Sequence, residues 1–162
     1  MQQTVRLIAI TLVLIALQTT IIPFLSVLTI VPDVMMIWIV VIAVTRGQIP
    51  ATLFGFGIGL TIDIASGQFL GLSALTKTVA GFIAGYFFHE NKVEMTLGTY
   101  RFLVIVGVSA LVHNVIYFVI FTSGSEVSLL TAVFRFGLFS ALYTTLVAFI
   151  PMFITKRAPH LR

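Results

Sequence analysis

The sequence predicts an all-α integral membrane protein, a bundle of about six transmembrane helices with both termini in the cytoplasm. The 162 residues are 59% hydrophobic and only 9% charged. The mean hydropathy of +1.16 is beyond what a soluble domain can keep in water. A spanning helix needs about 20 mostly apolar residues, so a chain of this length with short connections has room for about six.

Prolines, glycines and polar turns separate the predicted spans. Pro23 closes the first span, Pro32 opens the second and Pro50 opens the third, since proline suits the first helical turn and breaks a helix interior. We expect residues 24–31 to lie at the outer membrane interface. One domain covers residues 1–162, and the predicted spans are residues 4–22, 33–46, 50–64, 69–88, 102–122 and 128–155.

The basic residues set the predicted orientation, because cytoplasmic loops of membrane proteins carry an excess of lysine and arginine. A five-span alternative would fuse residues 34–62 into one helix and put Arg46 in the middle of the bilayer, so we reject it. In the six-span arrangement every basic residue outside the bilayer falls on one side. These residues are Arg6, Arg46, Lys92, Arg101, Lys156, Arg157 and Arg162.

Composition and motifs argue against several classes of function. The net charge of +4 would suggest nucleic-acid binding in a soluble protein, but here the basic residues lie at span ends. The chain has no cysteine and no HExxH, GxSxG or Walker-type motif, so we expect neither an enzyme nor a cofactor. We expect no metal site, because His113 has no second ligand at metal-binding spacing.

Apart from Asp33 at the start of the second span and the basic residues at the cytoplasmic span ends, four ionisable residues fall inside the predicted spans: Asp63, Lys77, His113 and Arg135. Each costs a few kcal/mol if it faces lipid alone, so each should have a partner. With Asn114 they form a candidate polar cluster in the outer half of the bundle. Lys77 lies about 12 Å deeper than Asp63 by helical rise, so the two either meet through an extended lysine or pair elsewhere.

The polar cluster admits three interpretations. Buried polar groups in membranes often do no more than fix how helices pack, and we favour this one. A proton or substrate path is the second. The third is a binding site for a partner helix or for an anionic lipid headgroup, which Lys77, His113 and Arg135 would attract.

Small residues form stripes on the third and fourth spans. Ala51, Gly55, Gly59 and Asp63 recur every four residues on the third span. On the fourth, Ser73, Lys77, Gly81 and Gly85 recur at the same spacing, and Gly81 and Gly85 form a GxxxG match. Small stripes let two helices approach closely, so we expect these spans to be antiparallel neighbours packed through them.

Several of these residues together resemble the rod shape-determining MreD family. The resemblance begins with Pro32-Asp33 and continues through residues 55–64, Gly67, Leu70-Gly71, Leu75 and residues 81–86. Its strongest part is Gly59-x-x-x-Asp63 followed eight residues later by Gly71. The positions that match the family pattern are Pro32, Asp33, Gly59, Asp63, Gly71 and Gly81.

The resemblance implies a function and a set of partners. It implies a non-catalytic scaffold in the bacterial inner membrane, part of the elongation machinery that inserts peptidoglycan along the side wall. The implied partner is the single-span protein MreC, and the wider assembly includes MreB, RodA and a penicillin-binding transpeptidase. The implied fold is similar to the S components of ECF-type vitamin transporters. Lys77, His113 and Arg135 are not hallmarks of the family.

An alternative of another class is a substrate-binding S component itself, with the outer polar cluster as its ligand pocket. A first span with closely spaced alanines, for docking an energy-coupling module, would favour it. The first span offers only Ala9 and Ala16. The scaffold is therefore the preferred interpretation.

Overall fold

A computed structural model describes residues 2–27, 30–67, 69–123 and 128–157. Within these ranges the chain is helical without a strand, apart from an isolated antiparallel bridge between Val27 and Ile30. Parts of three predicted features lie outside the described residues. They are Gln68 in the turn after the third span, the middle of the turn after the fifth span, and the basic residue Arg162.

The helices alternate in direction through the bundle, and their bounds differ from the predicted spans by a few residues. In chain order they are α1 (Gln2–Thr20), α2 (Val34–Arg46), α3 (Gln48–Ser66), α4 (Leu72–Gly85), α5 (Val93–Leu97), α6 (Tyr100–Phe121) and α7 (Leu129–Lys156).

Four of these helices, α1, α3, α6 and α7, are long and apolar enough to cross a membrane, counted over the described ranges. The other two predicted spans form shorter apolar helices, α2 with 13 residues and α4 with 14. At 1.5 Å per residue each extends about 20 Å, against a hydrocarbon core of about 30 Å. Over the described ranges, four helices of spanning length and two shorter apolar helices thus occupy the six predicted spans.

The short helix α2 occupies the centre of the bundle. Most of its apolar residues are buried, and Val34, Trp38 and Val41 form a partly exposed edge. A helix that is mostly covered by its neighbours need not match the thickness of a bilayer. The buried residues are Met35, Met36, Ile37, Ile39, Val40, Ile42, Ala43 and Val44.

The helix α4 starts three residues later than predicted and ends three residues earlier. Gly71 precedes it with φ of +93°, a left-handed conformation that glycine adopts without the cost of a Cβ. The chain therefore turns sharply at Gly71 and enters the helix at Leu72. The predicted span at residues 69–88 is reduced to a 14-residue helix between α3 and α6.

The helix α7 contains a π-helical segment, Ala132–Leu138. The wider π-helical turn adds one residue between successive buried positions. Gly137 therefore follows Ala132 by five residues, whereas Ala141 follows Gly137 by four. From there the spacing is that of an ordinary α-helix. The buried face of α7 consists of Ala132, Gly137, Ala141, Thr144, Ala148 and Met152.

The two ends of the bundle differ in charge. At one end the guanidinium of Arg46 donates to Oε1 of Gln3 across a distance of 2.9 Å, which joins the end of α2 to the start of α1. There α5 packs against the last turns of α7, where Gly98 approaches Lys156. We call this the basic end, after Arg46, Lys92, Arg101 and Lys156. The opposite end holds the first turns of α2 and α4.

Candidate functional site

An ion pair joins two helices at the end opposite the basic end. Nζ of Lys77, on α4, contacts Oδ2 of Asp33, the residue that caps α2. The lysine side chain is 3% exposed, and the carboxylate is 21% exposed. The structure thus gives the buried Lys77 a partly exposed anionic partner, and that partner is not Asp63.

The backbone around Asp33 fixes the position of its carboxylate. Oδ1 accepts from the backbone N–H of Met36 at 3.0 Å, an N-cap that satisfies a free donor of the first turn of α2. The N–H of Asp33 donates to the buried hydroxyl of Thr144, on α7, at 3.0 Å. Asp33 therefore connects α2 with both α4 and α7.

Gln18 joins α1 to the start of α2. Its Nε2 donates to the carbonyl of Pro32 at 3.1 Å, and its Oε1 accepts from the N–H of Val34 at 2.9 Å. Of the α1 residues, Thr11 alone is fully buried, and its hydroxyl accepts from Nε1 of Trp38 at 2.9 Å. These few polar contacts hold an otherwise peripheral helix.

His113 and Asn114 bring α6 into the site. Nε2 of His113 lies 3.8 Å from Oδ2 of Asp33, and its ring stacks at an angle beside Tyr117. Nδ2 of Asn114 donates at 2.8 Å to the carbonyl of Gly137, in the π-helical segment of α7. Both side chains are more than nine-tenths buried.

The ion pair adjoins a polar cavity of about 560 Å³ that opens at this end of the bundle. The cavity lies between α1, the start of α2, α6 and α7. Its walls combine hydrogen-bonding side chains with aromatic rings, as ligand pockets often do. The residues that form its polar part are Gln18, Asp33, His113, Asn114, Tyr117 and Ser140.

Asp63 has a different role, since its carboxylate caps the start of α4. Oδ2 accepts from the N–H groups of Gly71 at 2.9 Å and Ala74 at 3.2 Å, and Oδ1 accepts from the N–H of Ser73 at 3.1 Å. A carboxylate at the positive end of a helix is stabilised by both hydrogen bonds and the dipole. This explains why an almost fully buried aspartate needs no cationic side chain.

Glycines hold α3 and α4 at backbone contact. A Cβ added at Gly55 would lie 2.5 Å from the carbonyl oxygen of Lys77, and one at Gly59 would lie 2.4 Å from that of Ser73. From the other helix, a Cβ at Gly81 would meet the carbonyl oxygen of Ala51 at 2.7 Å. The two predicted stripes therefore face each other, and their glycines cannot be replaced without moving a helix.

Gly85 completes this contact at the basic end. A Cβ there would lie 2.4 Å from the Cα of Gln48, whose side-chain amide donates to the carbonyl of Phe82 at 3.1 Å. The close packing thus extends along the whole length of α4. It sets the position at which α4 presents Lys77 to Asp33.

Arg135 does not join the cluster that the sequence predicts. It is exposed, and its guanidinium carbon lies 5.8 Å from the ring centroid of the neighbouring Phe136. The physical reason is that the small residues of α7 turn inward and leave Thr131, Arg135 and Phe139 on the outer face. Of the predicted cluster, His113 and Asn114 line the cavity and Lys77 contacts Asp33 beside it, while Asp63 and Arg135 lie elsewhere.

Sequence reasoning assigned Asp33 only to the helix start and overlooked Gln18 and Thr144. A signal for Gln18 was available, since it is a polar residue within an apolar span. Thr144 lies on the small-residue face of α7, a pattern that would have placed it inward. Within the described ranges there is no group of three or more His, Asp or Glu side chains that could hold a metal ion.

In the part of the chain that the structure describes, these features define an all-helical protein with four helices of membrane-spanning length and a partly buried ion pair beside a polar cavity. Comparisons of the chain with family models, with curated proteins and with solved structures gave no match.

Proposed function

We propose that this protein is a non-catalytic scaffold of the bacterial elongation machinery, an MreD-type inner-membrane protein that binds MreC and helps regulate side-wall peptidoglycan synthesis and cell shape. In this proposal the chain crosses the membrane six times, with the basic end in the cytoplasm and the polar cavity on the outer side. MreB, RodA and a penicillin-binding transpeptidase belong to the wider assembly.

One observation carries the proposal: the residues on which the resemblance to MreD proteins depends form connected contacts. Asp63 accepts from the N–H of Gly71, and Gly59 packs against the backbone of the same helix turn. Asp33, next to Pro32, accepts from Lys77 on that helix. Motif residues that contact one another support the resemblance more strongly than glycines scattered through apolar helices would.

The two short helices are compatible with six crossings. α2 is mostly buried by its neighbours, and α4 is packed along α3, so neither has to match the bilayer thickness alone. Their first turns, capped by Asp33 and Asp63, lie at the cavity end, and their last turns lie at the basic end. Each therefore connects the same two ends as the four long helices.

An apolar groove offers a seat for the transmembrane helix of MreC. It has a volume of about 550 Å³ and runs between α1 and α7 over the exposed edge of α2. Ile22 and Leu25 line it toward the cavity end, and Leu97 and Thr155 line it toward the basic end. Its walls are almost entirely apolar, as helix-in-groove binding requires.

Cysteine crosslinking tests this seat, because the chain contains no cysteine of its own. Ile150→Cys places a thiol in the groove, and Phe82→Cys places one on an exposed part of α4. With single cysteines scanned along the MreC helix, we expect crosslinks from Ile150→Cys and none from Phe82→Cys. Equal crosslinking from both positions, or crosslinking from Phe82→Cys alone, would refute this seat for MreC.

The polar cavity supports a second candidate function, a substrate-binding S component of an ECF-type vitamin transporter. A space of about 560 Å³ lined by amide, imidazole, hydroxyl and aromatic groups fits a small polar molecule. This function requires an energy-coupling transmembrane subunit and ATPases as partners. The two candidates are therefore distinguished by what accompanies the protein out of its native membrane.

A further inference from the structure

The basic end contains a pocket that is lined by basic side chains and by no acidic ones. It has a volume of about 330 Å³ and lies between the end of α4, the segment before α5 and the start of α6. His89, Lys92 and Arg101 line it, with the hydroxyl groups of Thr96 and Tyr100, and no carboxylate contributes to this lining.

Neither acidic residue of the same loop lines this pocket. Glu94 lines a separate pocket, which it shares with Lys156 on α7, and Glu90 is exposed in the segment before α5. Within the described ranges, neither Lys92 nor Arg101 forms an ion pair with a carboxylate. Both cations are exposed and line the pocket without a carboxylate partner.

The start of α6 adds to the positive potential at this point. Thr99 precedes the helix without a side-chain cap. The N–H of Phe102 donates to the carbonyl of Thr99 at 3.0 Å, so the donors without an intrahelical acceptor are the N–H groups of Tyr100 and Arg101. The 22-residue helix directs the positive end of its dipole toward the loop. Arginine, lysine and free backbone donors together match the oxygens of a phosphate group.

An apolar track leads from this pocket along α6. The pocket itself includes Val104, which is 56% exposed. The exposed residues that follow on the same face are Val108, Leu111 and Val115, spaced as one helical stripe. From Val104 to Val115 the helix rises about 16 Å, close to the depth of one leaflet of the hydrocarbon core, roughly 15 Å.

We infer that this pocket and the stripe on α6 form a binding site for an anionic phospholipid of the leaflet at the basic end. The phosphate of the headgroup contacts Lys92 and Arg101, and one acyl chain lies along the stripe. Tyr100, which is 66% exposed, sits at the boundary between headgroups and acyl chains, where tyrosine is enriched. Basic pockets between transmembrane helices bind acidic lipid headgroups in this way.

A lipid fits better than a free phosphate compound because the apolar stripe continues the pocket directly. A soluble anion would use the cations and leave Val104 and the stripe without a role. The site is independent of the cavity and of the groove between α1 and α7, so its failure would leave the proposed scaffold function intact.

Native mass spectrometry of the purified full-length protein tests the inference. In detergent, the protein is titrated with phosphatidylglycerol and with phosphatidylcholine that carries the same acyl chains. We expect phosphatidylglycerol to bind more tightly, and glycerol phosphate without acyl chains not to compete with it. Equal binding of the two lipids would overturn the site, and full competition by glycerol phosphate would assign it to a soluble phosphate compound instead.

A pair of variants locates the binding. Lys92→Gln/Arg101→Gln removes the two cations of the pocket, and Arg6→Gln/Lys156→Gln removes the same charge from exposed positions outside it. Each basic residue near an anionic lipid raises the binding affinity on the order of fivefold. The first variant should therefore bind phosphatidylglycerol at least about tenfold more weakly than the wild type. The second should bind it nearly as well as the wild type. Equal weakening in both variants would mean that only net charge acts, and the inference would fail.

Discussion

Lys77 and Asp33 form an ion pair although 44 residues separate them in the chain. The pair joins α4 to the capped start of α2, the helix at the centre of the bundle. The backbone of Asp33 also reaches Thr144 on α7, so three helices depend on one residue. The pair therefore fixes how these helices meet beside the polar cavity.

Removing Lys77 alone should destabilise the protein more than removing both charges of the ion pair. Lys77→Met leaves the carboxylate of Asp33 without its cation at a mostly buried position, and we expect a loss of stability of about 3 kcal/mol. In Asp33→Asn/Lys77→Met no unpaired charge remains, so the double variant should unfold at a higher temperature than Lys77→Met alone. Thermal unfolding in detergent measures both.

Lys156→Met is the control for this pair, because Lys156 is exposed at the basic end. Its unfolding temperature should equal that of the wild type. If the effects of Asp33→Asn and Lys77→Met simply add, the two residues are not energetically coupled and the interpretation of the pair is wrong.

The cap formed by Asp63 predicts a graded series of variants. Asp63→Ala leaves the N–H groups of Gly71, Ser73 and Ala74 without their acceptor, which should destabilise the protein by about 3 kcal/mol. Asp63→Asn keeps one acceptor oxygen and should lose about half as much. Hydrogen exchange should quicken at the amides of Gly71 and Ala74 in the same order.

Ser66→Ala provides a matched control at the same end of α3. Its hydroxyl donates only to the backbone carbonyl of Asp63 at an exposed position. Its stability and its exchange rates should match the wild type. Unchanged exchange at Gly71 in Asp63→Ala would exclude the cap.

Two glycines of one helix should respond in opposite ways to the same substitution. Gly59→Ala forces a Cβ to 2.4 Å from the carbonyl oxygen of Ser73, so α3 and α4 must separate at a cost of about 2 kcal/mol. A Cβ at Gly57 meets nothing within 4 Å, and Gly57→Ala should be neutral or stabilise the helix by up to about 1 kcal/mol. Unfolding temperatures compare them directly. Equal destabilisation would contradict the close contact.

The attachment of α1 should depend on Gln18. Gln18→Leu removes the acceptor of the Val34 N–H and the donor to the carbonyl of Pro32, with an expected loss of about 2 kcal/mol. Exchange of the Val34 amide should rise. Gln2→Leu, at the exposed start of α1, should change neither. A Val34 amide that stays protected in Gln18→Leu would show that α1 is held elsewhere.

The sequence predicted the helical class and the facing stripes of α3 and α4, because both depend on local periodicity. Hydrophobic runs mark helices, and glycine spacing marks a helix face. The partner of Lys77 could not be obtained in the same way. It depends on how α2 is placed relative to α4, and helical rise along one hairpin gives no information about a third helix.

The position of Arg135 shows a second limit. The sequence predicted that Arg135 joins the polar cluster, but facing it inward assumes a regular α-helix. The π-helical segment changes the number of residues per turn, and the small residues of α7 decide which face turns inward. The stripe of Gly137, Ala141 and Ala148 was the better guide, because small side chains permit close packing.

The scaffold proposal is tested most directly by purifying the tagged protein from its native membrane after mild crosslinking and identifying the proteins bound to it. The account predicts recovery of MreC together with the cell-wall synthases. Recovery of an energy-coupling transmembrane subunit with ATPases would contradict it, and the cavity beside Asp33 would then be the substrate pocket of a transporter.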